Sequence, residues 1–269
     1  MGGRAQETQG RPSTRVAVRD LNHRRDQWFG SSRNGGTAVA GEVLFGASLL
    51  ACAERLARPT STIRLARGDS LYRYGERASD LYHVEAGQLK MVVFSNCGKA
   101  CLLAIAVCGD LVGESCLIRR EHAETAIAMR PTVLTPIPRS LLLDALGDRR
   151  IVEGCLAYLA ARLSEQQEVI AAMVTMDSEQ RLAAALLRLG RKLGRRGQHG
   201  LQIDQRITHE ELAEMVGTTR SRIGYFLKRF QQLDLVEPVA GSFLAIDEGR
   251  LQRHLDGAGP TRVGLGARS

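Results

Sequence analysis

Hydrophobic residues in the first half of the chain fall into short runs of mostly alternating polarity. Glycine-containing pairs such as Gly68-Asp69 and Gly109-Asp110 separate these runs. Alternation with a period of two is typical of half-buried β-strands, and many short strands at even spacing favour a sandwich or jelly roll. The sequence therefore predicts a β jelly roll at residues 39–147, with a helix near 44–56 before its first strand. The runs lie at residues 61–65, 71–74, 81–84, 88–94 and 101–106.

A seven-residue hydrophobic repeat follows, in a segment predicted to form one long helix at residues 148–176. Such a stripe needs a partner helix, and we interpret it as the interface of a parallel homodimer in which Gln166 fixes the register. A second stripe, with Cys155, Arg162 and Val169, can pack on the chain's own β domain. The alternative, that the seven-residue repeat itself packs there, stays open at this point. The repeat consists of Val152, Leu156, Leu159, Leu163, Gln166, Ile170 and Met173.

The clearest local pattern lies near the C-terminus. Thr208 and Glu211 have the spacing of a capping box, Gly217 suits a left-handed turn between two short helices, and Thr218 or Thr219 can cap the second helix. This pattern is typical of a helix-turn-helix, whose second helix lies in the DNA major groove. The candidate DNA-binding residues are Thr208, Thr218, Thr219, Arg220, Ser221, Arg222, Tyr225, Lys228 and Arg229.

Two short apolar runs follow, at residues 235–238 and 243–246. They predict a β-hairpin, and a hairpin directly after the recognition helix favours the wing of a winged helix. The winged helix-turn-helix domain is therefore expected at residues 178–255. A surface hairpin without a role in DNA binding is the alternative.

The charge balance fits a polyanionic partner. The chain carries 37 Lys and Arg residues against 29 Asp and Glu, a net charge of +8, and a protein that neutralises phosphates releases their counterions. Basic residues are concentrated between residues 179 and 206, where Glu179 and Asp204 are the acidic ones. Double-stranded DNA is the indicated partner, although a solvated basic face would show the same run. The basic residues are Arg181, Arg188, Arg191, Lys192, Arg195, Arg196 and Arg206.

The two ends of the chain show no pattern of a packed core. Residues 1–38 form a basic tail rich in Gly, Ser, Arg and Gln, and residues 256–269 are rich in Gly, so both are expected to be disordered. The sequence contains no apolar run of about 18 residues and no apolar core of a signal peptide. We therefore expect a cytoplasmic protein without a membrane partner, whose six cysteines are reduced.

Taken together, these segments resemble the CRP/FNR transcription regulators over about residues 60–250. The resemblance implies an α+β protein with an N-terminal β jelly roll similar to cyclic-nucleotide-binding domains, a long dimerisation helix and hinge at 148–177, and a C-terminal winged helix-turn-helix. It also implies RNA polymerase as a partner if the protein is an activator. The matching pieces are Gly68-Asp69-Ser70-Leu71, Gly75-Glu76, the runs 81–87 and 109–114, Met176-Asp177 and the helix-turn-helix.

The resemblance further implies a ligand site in the jelly roll. Cyclic-nucleotide binders of the family use a Gly-Glu pair for the ribose and then an Arg-Ser/Thr-Ala, whose arginine pairs with the cyclic phosphate. In this chain Glu124 stands in the place of that arginine, and a carboxylate there repels a phosphate. We therefore expect no standard cAMP binding, and the sensed ligand stays unidentified. The candidate ligand-binding residues are Gly113, Glu114, Thr125, Ala126, Arg162, Gln166 and Gln167.

The reading face of the recognition helix also departs from the family pattern. Members that recognise the best-known half-site carry Arg, Glu and Arg at the reading positions, where this chain has Arg220, Ser221 and Tyr225. Arg220 keeps the fork that suits guanine, Ser221 loses the acceptor for cytosine, and Tyr225 cannot make a bidentate guanine contact. The resemblance therefore implies a palindromic site that shares one guanine with the family site.

Four cysteines suggest a second kind of sensor. Cys97, Cys101, Cys108 and Cys116 lie within 20 residues, and four thiolates can hold an iron–sulfur cluster or zinc. The oxygen-sensing branch of the family holds its cluster on cysteines nearer the N-terminus, a group that this chain lacks. Three interpretations stay open: a metal centre, thiol redox sensing, and packing as small hydrophobic residues.

We interpret the chain as a DNA-binding transcription regulator and not as an enzyme. It contains no phosphate-binding loop, nucleophile elbow, zinc-protease or dinucleotide-binding motif. Two alternatives remain. One is a cysteine-based redox or iron–sulfur regulator, and the other is a nucleotide-binding interaction module without a role at DNA.

Overall fold

The N-terminal part of the described chain, which is called the sensor domain below after its predicted role, is a sandwich of two four-stranded antiparallel sheets. The computed structural model describes residues 45–49, 51, 61–198, 200–240 and 243–258. The strand orders are β1-β8-β3-β6 and β2-β7-β4-β5, and Val84, Leu89 and Leu134 are fully buried in the core of this half. This arrangement confirms the predicted jelly roll. The strands are β1 (Ile63–Leu65), β2 (Ser70–Tyr72), β3 (Asp80–Ala86), β4 (Gln88–Phe94), β5 (Ala100–Val107), β6 (Leu111–Val112), β7 (Thr125–Ala128) and β8 (Thr132–Pro138).

Strands β6, β7 and β8 did not follow from the hydrophobic pattern. β8 carries Pro136 and Pro138, and a proline within an apolar run argues against a strand because it lacks a backbone N–H. In the structure, β1 pairs only with residues 132–134 of β8. Pro136 lies beyond that pairing, opposite Tyr82 of β3, where the missing N–H is tolerated.

The long helix α2 begins and ends as its sequence pattern predicts. Asp148 caps its first turn by accepting a hydrogen bond from the backbone N–H of Arg150 at 2.9 Å. Asp177 then caps α3 in a capping box with Gln180, which separates the two helices at residues 176–177. The helices are α1 (Arg139–Ala145), α2 (Arg149–Thr175), α3 (Ser178–Leu193), α4 (His209–Val216), α5 (Arg220–Gln232) and α6 (Glu248–Ala258).

Helix α2 has one buried and one exposed apolar face. Ile151 and Tyr158 are buried against the jelly roll, with Cys155 packed beside them. Of the second stripe, Cys155 packs on the β domain and Arg162 lies 3.5 Å from Glu114, whereas the large side chains of the seven-residue repeat do not pack there. The repeat leaves large side chains in solvent: Leu156 is 62% exposed, Leu159 41%, Leu163 61%, Ile170 62% and Met173 38%.

The C-terminal half contains a four-stranded sheet in the order β11-β12-β10-β9. Its strands are β9 (Arg195–Gly197), β10 (Gly200–Ile203), β11 (Val236–Glu237) and β12 (Leu244–Ile246). β11 and β12 are paired and confirm the predicted hairpin. β9 and β10 were not predicted, because the exposed Arg-Arg-Gly of β9 shows a charge run and no alternation.

The two halves share one hydrophobic cluster. Val92, Leu102 and Ile105, from β4 and β5, belong to the same buried cluster as the apolar faces of α3, α4 and α5. Half-buried ion pairs flank it: the ammonium of Lys90 lies 3.0 Å from the carboxylate of Glu211, and Lys192 lies 3.0 Å from Asp110. The C-terminal half is therefore docked on the sheet formed by β2, β7, β4 and β5.

The structure revises the expectation for the C-terminal end of the chain and leaves most of the expectations for the N-terminal end untested. α6 runs to Ala258, so residues 256–258, which were expected in a disordered tail, are helical. The reason is that Leu251 of this helix is fully buried in the core of the DNA-binding domain. The tail at 1–38, residues 259–269 and most of the helix expected near 44–56 lie outside the described residues, although 45–49 are helical. No described helix is long and apolar enough to span a membrane.

Candidate functional site

Helices α4 and α5 form a helix-turn-helix that local sequence signals position. The Thr208 hydroxyl accepts a hydrogen bond from the Glu211 N–H at 3.2 Å, and the Thr208 N–H donates to the Glu211 carboxylate at 2.9 Å. Gly217 ends α4 in the left-handed conformation, with φ 68° and ψ 46°. Of the two threonines that follow, Thr219 caps α5 by accepting from Arg222 N–H at 3.4 Å. These contacts confirm the predicted capping box, turn and second cap.

Helix α5 is anchored by one face and presents the other to solvent. Ile223, Phe226, Leu227 and Phe230 are buried. The predicted reading residues Arg220, Ser221, Arg222, Tyr225, Lys228 and Arg229 are all exposed. The side chain of Tyr225 is 63% exposed. Exposed aromatic side chains are enriched at surfaces that contact a partner.

Two arginines among the predicted DNA-binding residues have side-chain partners within the protein. The guanidinium of Arg229 lies 3.0 Å from the carboxylate of Glu179 on α3. The guanidinium of Arg222 lies over the ring of Phe226, 5.7 Å from its centroid. A contact between Arg229 and a DNA phosphate would therefore require the loss of this ion pair, whereas Lys228 forms no ion pair with any residue described by the structure.

At the candidate ligand site of the jelly roll, the predicted residues contact other polar side chains of the protein. Glu114 accepts a hydrogen bond from the buried hydroxyl of Tyr158, and its carboxylate lies 3.5 Å from the guanidinium of Arg162, both residues of α2. The carboxylate of Glu124 accepts a hydrogen bond from the hydroxyl of Tyr72 at 3.0 Å. Burial raises the pKa of Glu124, and the nearby Glu114 carboxylate raises it further. Two carboxylates thus stand close together in this site.

The remaining candidate ligand residues are only partly brought together. The Thr125 hydroxyl accepts from the backbone N–H of Tyr74 at 3.1 Å, and Ala126 is fully buried. Gly113 adopts a left-handed conformation in which a Cβ would lie 2.9 Å from the carbonyl oxygen of Asp80. On α2, Gln166 is half-buried and Gln167 is exposed.

Comparison with known proteins matches both halves of the chain. The cyclic nucleotide-binding domain model matches residues 62–149, and the Crp-like helix-turn-helix domain model matches residues 180–254. This chain belongs to the CRP/FNR family of transcription regulators.

Relatives of this CRP/FNR regulator have low sequence identity to it, but they match about three quarters of the chain. The anaerobic regulatory protein of Haemophilus influenzae is 24% identical over 202 residues, which cover 75% of this chain and 78% of that protein. The fumarate and nitrate reduction regulatory protein of Escherichia coli K12 is 24% identical over 199 residues, 74% of this chain and 78% of that protein. Among solved structures, FixK2 of Bradyrhizobium japonicum shares the fold with a TM-score of 0.65 and 18% identity, covering 73% of this chain and 97% of that one.

The cysteines that the structure describes in this CRP/FNR chain do not gather into a metal site. Cys97, Cys101 and Cys108 are exposed, whereas Cys116 is buried in the short 3₁₀ helix Glu114–Leu117. Within the described ranges, no group of three or more His, Cys, Asp and Glu side chains is arranged to hold a metal ion. Cys97 lies in the turn before β5, Cys101 on β5, Cys108 just after it and Cys116 in the 3₁₀ helix, so Cys97, Cys101, Cys108 and Cys116 do not form a cluster.

Sequence reasoning missed the two tyrosines that complete the sensor site. Tyr158 shares a stripe with Ile151, Cys155 and Arg162, and its spacing of three and four residues on α2 could have revealed it. Tyr72 gives no such signal, because its contact with Glu124 joins residues 52 positions apart.

Proposed function

We propose that this CRP/FNR protein is a homodimeric transcription regulator that binds a palindromic DNA site through α5 and does not use cAMP as its signal. The outward face of α5 carries the proposal. Four buried side chains and the Thr219 cap fix this helix, and Arg220, Ser221 and Tyr225 project from it. A basic and aromatic surface on such a helix suits the edges of base pairs in the major groove.

The exposed repeat on α2 supports a dimer. Five large apolar side chains between 38% and 62% exposed on one helix face form a patch that a monomeric protein rarely leaves in water. The seven-residue spacing fits a second copy of the same helix, because a parallel pair places each repeat against itself. The two recognition helices of such a dimer would contact half-sites one helical turn apart.

Individual side chains would have separate roles at DNA. Arg220 would read guanine through its guanidinium, and Tyr225 would contact a thymine methyl group or a phosphate. Lys228 would contact the phosphate backbone, with Thr208, Thr218 and Thr219 near helix starts where backbone N–H groups also suit phosphate. Arg222 would contact DNA only after its guanidinium moves off the Phe226 ring, and Arg229 only after it breaks its ion pair with Glu179.

The sensor site supports a signal other than cAMP. A cyclic phosphate entering beside Glu124 and Glu114 would meet two carboxylates, while the guanidinium of Arg162 already lies near both Glu114 and Glu165. Repulsion without a free bidentate donor is unfavourable for phosphate. RNA polymerase would be a partner of the bound dimer if it activates transcription.

Oxidation of a thiol is the second candidate for the signal, and Cys97 is the residue that would be oxidised. This exposed residue sits in the turn between β4 and β5, where its sulfur lies 3.1 Å from the Ser95 hydroxyl. That hydrogen bond, with the Lys99 backbone N–H and ammonium, lowers the pKa of Cys97, which favours the reactive thiolate. Two relatives are named for anaerobic regulation. A loss of DNA affinity after peroxide treatment that Cys97→Ser prevents would support this candidate, and an unchanged affinity would refute it.

The main proposal is tested by the salt dependence of DNA binding. Fluorescence anisotropy of the full-length protein with labelled duplex DNA should show affinity that falls steeply as salt rises, because several phosphates are neutralised. Lys228→Ala should weaken binding to all sequences and reduce the salt slope by about 1. Leu143→Ala, on the distant helix α1, is the control. Weak binding that is insensitive to salt would refute a DNA-binding role.

A further inference from the structure

A small cavity opens on the sensor domain between the turn that follows β2 and the loop that leads into β7. It has a volume of about 170 Å³. Backbone hydrogen bonds join its two walls: the Gly75 N–H donates to the His122 carbonyl at 2.9 Å, and the His122 N–H donates to the Glu76 carbonyl at 2.8 Å. The walls are therefore preformed. The lining residues are Tyr74, Gly75, Arg119, Arg120, Glu121, His122 and Ala123.

One wall contains a buried histidine with an unused nitrogen. His122 is 2% exposed, and its ring stacks on Tyr72 with centroids 3.6 Å apart and planes 6° from parallel. Its Nδ1 lies 3.1 Å from the Ser115 hydroxyl, whereas its Nε2 has no hydrogen-bond partner in the structure. When the hydroxyl donates to Nδ1, Nε2 carries the proton as a free donor. A buried polar group without a partner is uncommon, and the ring is held in place by the Tyr72 stack and the Ser115 hydroxyl.

The rim supplies positive charge and an aromatic surface. Arg119 and Arg120 are exposed, and neither side chain forms an ion pair or hydrogen bond with any residue that the structure describes. Glu121 is the carboxylate among the lining residues, so the rim carries two positive charges and one negative. The ring of Tyr74 is 73% exposed and offers a flat apolar surface.

We propose that this cavity binds a small carboxylate with a flat apolar body. Arg119 and Arg120 would hold the carboxylate, because guanidinium groups bind carboxylates with paired hydrogen bonds. His122 lines the same cavity, so a ligand held there would lie beside its ring. The body of the ligand would lie against the Tyr74 ring. A nucleotide is too large, because drug-sized ligands occupy cavities of about 300–1,000 Å³.

The site is separate from Glu114 and Glu124 but is connected to them. His122 stacks on Tyr72, whose hydroxyl donates to Glu124 at 3.0 Å. Arg119 also attracts the Glu124 carboxylate. Glu114, beside Glu124, contacts Tyr158 and Arg162 on α2. A ligand that moves His122 would therefore act on the dimerisation helix, and this consequence rests on the proposed function, whereas binding itself does not.

Calorimetry and histidine NMR on the full-length protein test the proposal, with benzoate as the probe. Benzyl alcohol has the same ring without the charge, and inorganic phosphate has the charge without the ring. The test variant Arg119→Gln/Arg120→Gln removes both guanidinium groups. The control variant Arg64→Gln/Arg67→Gln removes two exposed arginines elsewhere on the sensor domain. His122→Gln assigns the His122 signal in the ¹⁵N spectrum.

Benzoate should bind saturably and shift the His122 Nε2 resonance, while benzyl alcohol should do neither. The test variant should lose about tenfold or more in affinity, since charged hydrogen bonds are removed, and the control variant should bind as the natural protein does. No saturable benzoate binding, equal binding by the test variant, or binding of phosphate instead of benzoate would overturn the proposal. DNA binding measured on the same unliganded sample tests the proposed function independently, because either result can fail while the other holds.

Discussion

Lys90 on strand β4 and Glu211 on helix α4 form an ion pair of 3.0 Å between the sensor domain and the helix-turn-helix. Glu211 has two roles, because its other carboxylate oxygen accepts from the Thr208 N–H in the capping box that begins α4. Burial alone would raise the pKa of Glu211, but the hydrogen bonds from Thr208 and Lys90 and the charge of Lys90 hold that pKa below its usual value. One side chain thus joins the start of the DNA-binding motif to the sensor sheet.

Replacing Lys90 with methionine should lower the stability of the docked structure by about 1 kcal/mol, because Glu211 keeps its cap but loses its charged partner. Thermal unfolding followed by circular dichroism measures the effect. Lys99→Met, in the exposed turn after β4, is the matched control and should leave the melting temperature unchanged. Equal melting temperatures for Lys90→Met and the natural protein would mean that the ion pair does not hold the domains together.

The same pair predicts a dependence on pH. A carboxylate whose pKa is lowered by folding contributes stability above its unfolded pKa, and that contribution is lost as the pH falls through the lowered value. The difference in melting temperature between Lys90→Met and the natural protein should therefore be full at neutral pH and shrink as the pH falls below 4.5, the ordinary glutamate value. A difference that persists unchanged in acid would contradict the role of the Glu211 charge.

The charge of Glu124 should have the opposite effect on stability to that of Glu211. Burial and the nearby Glu114 raise its pKa, so its charged form weakens the fold and the loss grows as the pH rises through the raised value. Glu124→Gln keeps an acceptor for Tyr72 and should raise the melting temperature by a few degrees at pH 8 but not at pH 4. Glu121→Gln, which removes an exposed carboxylate nearby, is the control. A lower melting temperature for Glu124→Gln at pH 8 would show that the charge is stabilising here.

The same carboxylate predicts that cAMP leaves the protein unchanged. A ligand that binds only the folded state must raise its melting temperature, and Glu124 and Glu114 oppose the cyclic phosphate. Millimolar cAMP should therefore shift neither the melting temperature nor the DNA affinity. A saturable thermal shift with cAMP, absent with inorganic phosphate at the same ionic strength, would refute this account of the sensor site.

Local signals predicted the elements in which neighbouring residues decide the structure. The capping box of Thr208 and Glu211, the left-handed Gly217 and the cap of α5 at Thr219 all depend on residues within one helical turn. The sequences of β8, with its prolines, and of the charged β9 did not indicate strands. These strands form by pairing with other strands. The contact between Lys90 and Glu211 spans 121 residues, and nothing near either residue indicates its partner.

The exposed repeat on α2 predicts that the dimer depends on this helix. Leu159→Asp/Leu163→Asp places four charges per dimer in an apolar interface, which costs several kcal/mol, so sedimentation should show a monomer. Leu143→Asp changes a leucine that is 45% exposed on α1 and should leave the dimer intact. A stable dimer of the double variant would mean that the subunits associate through another surface.

Selection from a random pool of duplex DNA tests the central claim most directly. The full-length protein should enrich a two-fold symmetric motif with half-sites about one helical turn apart. Arg220→Ala should cost about 1–3 kcal/mol and erase the preference at one guanine in each half-site, whereas Lys228→Ala should weaken binding and leave the motif unchanged. An enriched motif without a two-fold axis, or one that Arg220→Ala leaves intact, would contradict a dimer that reads DNA through α5.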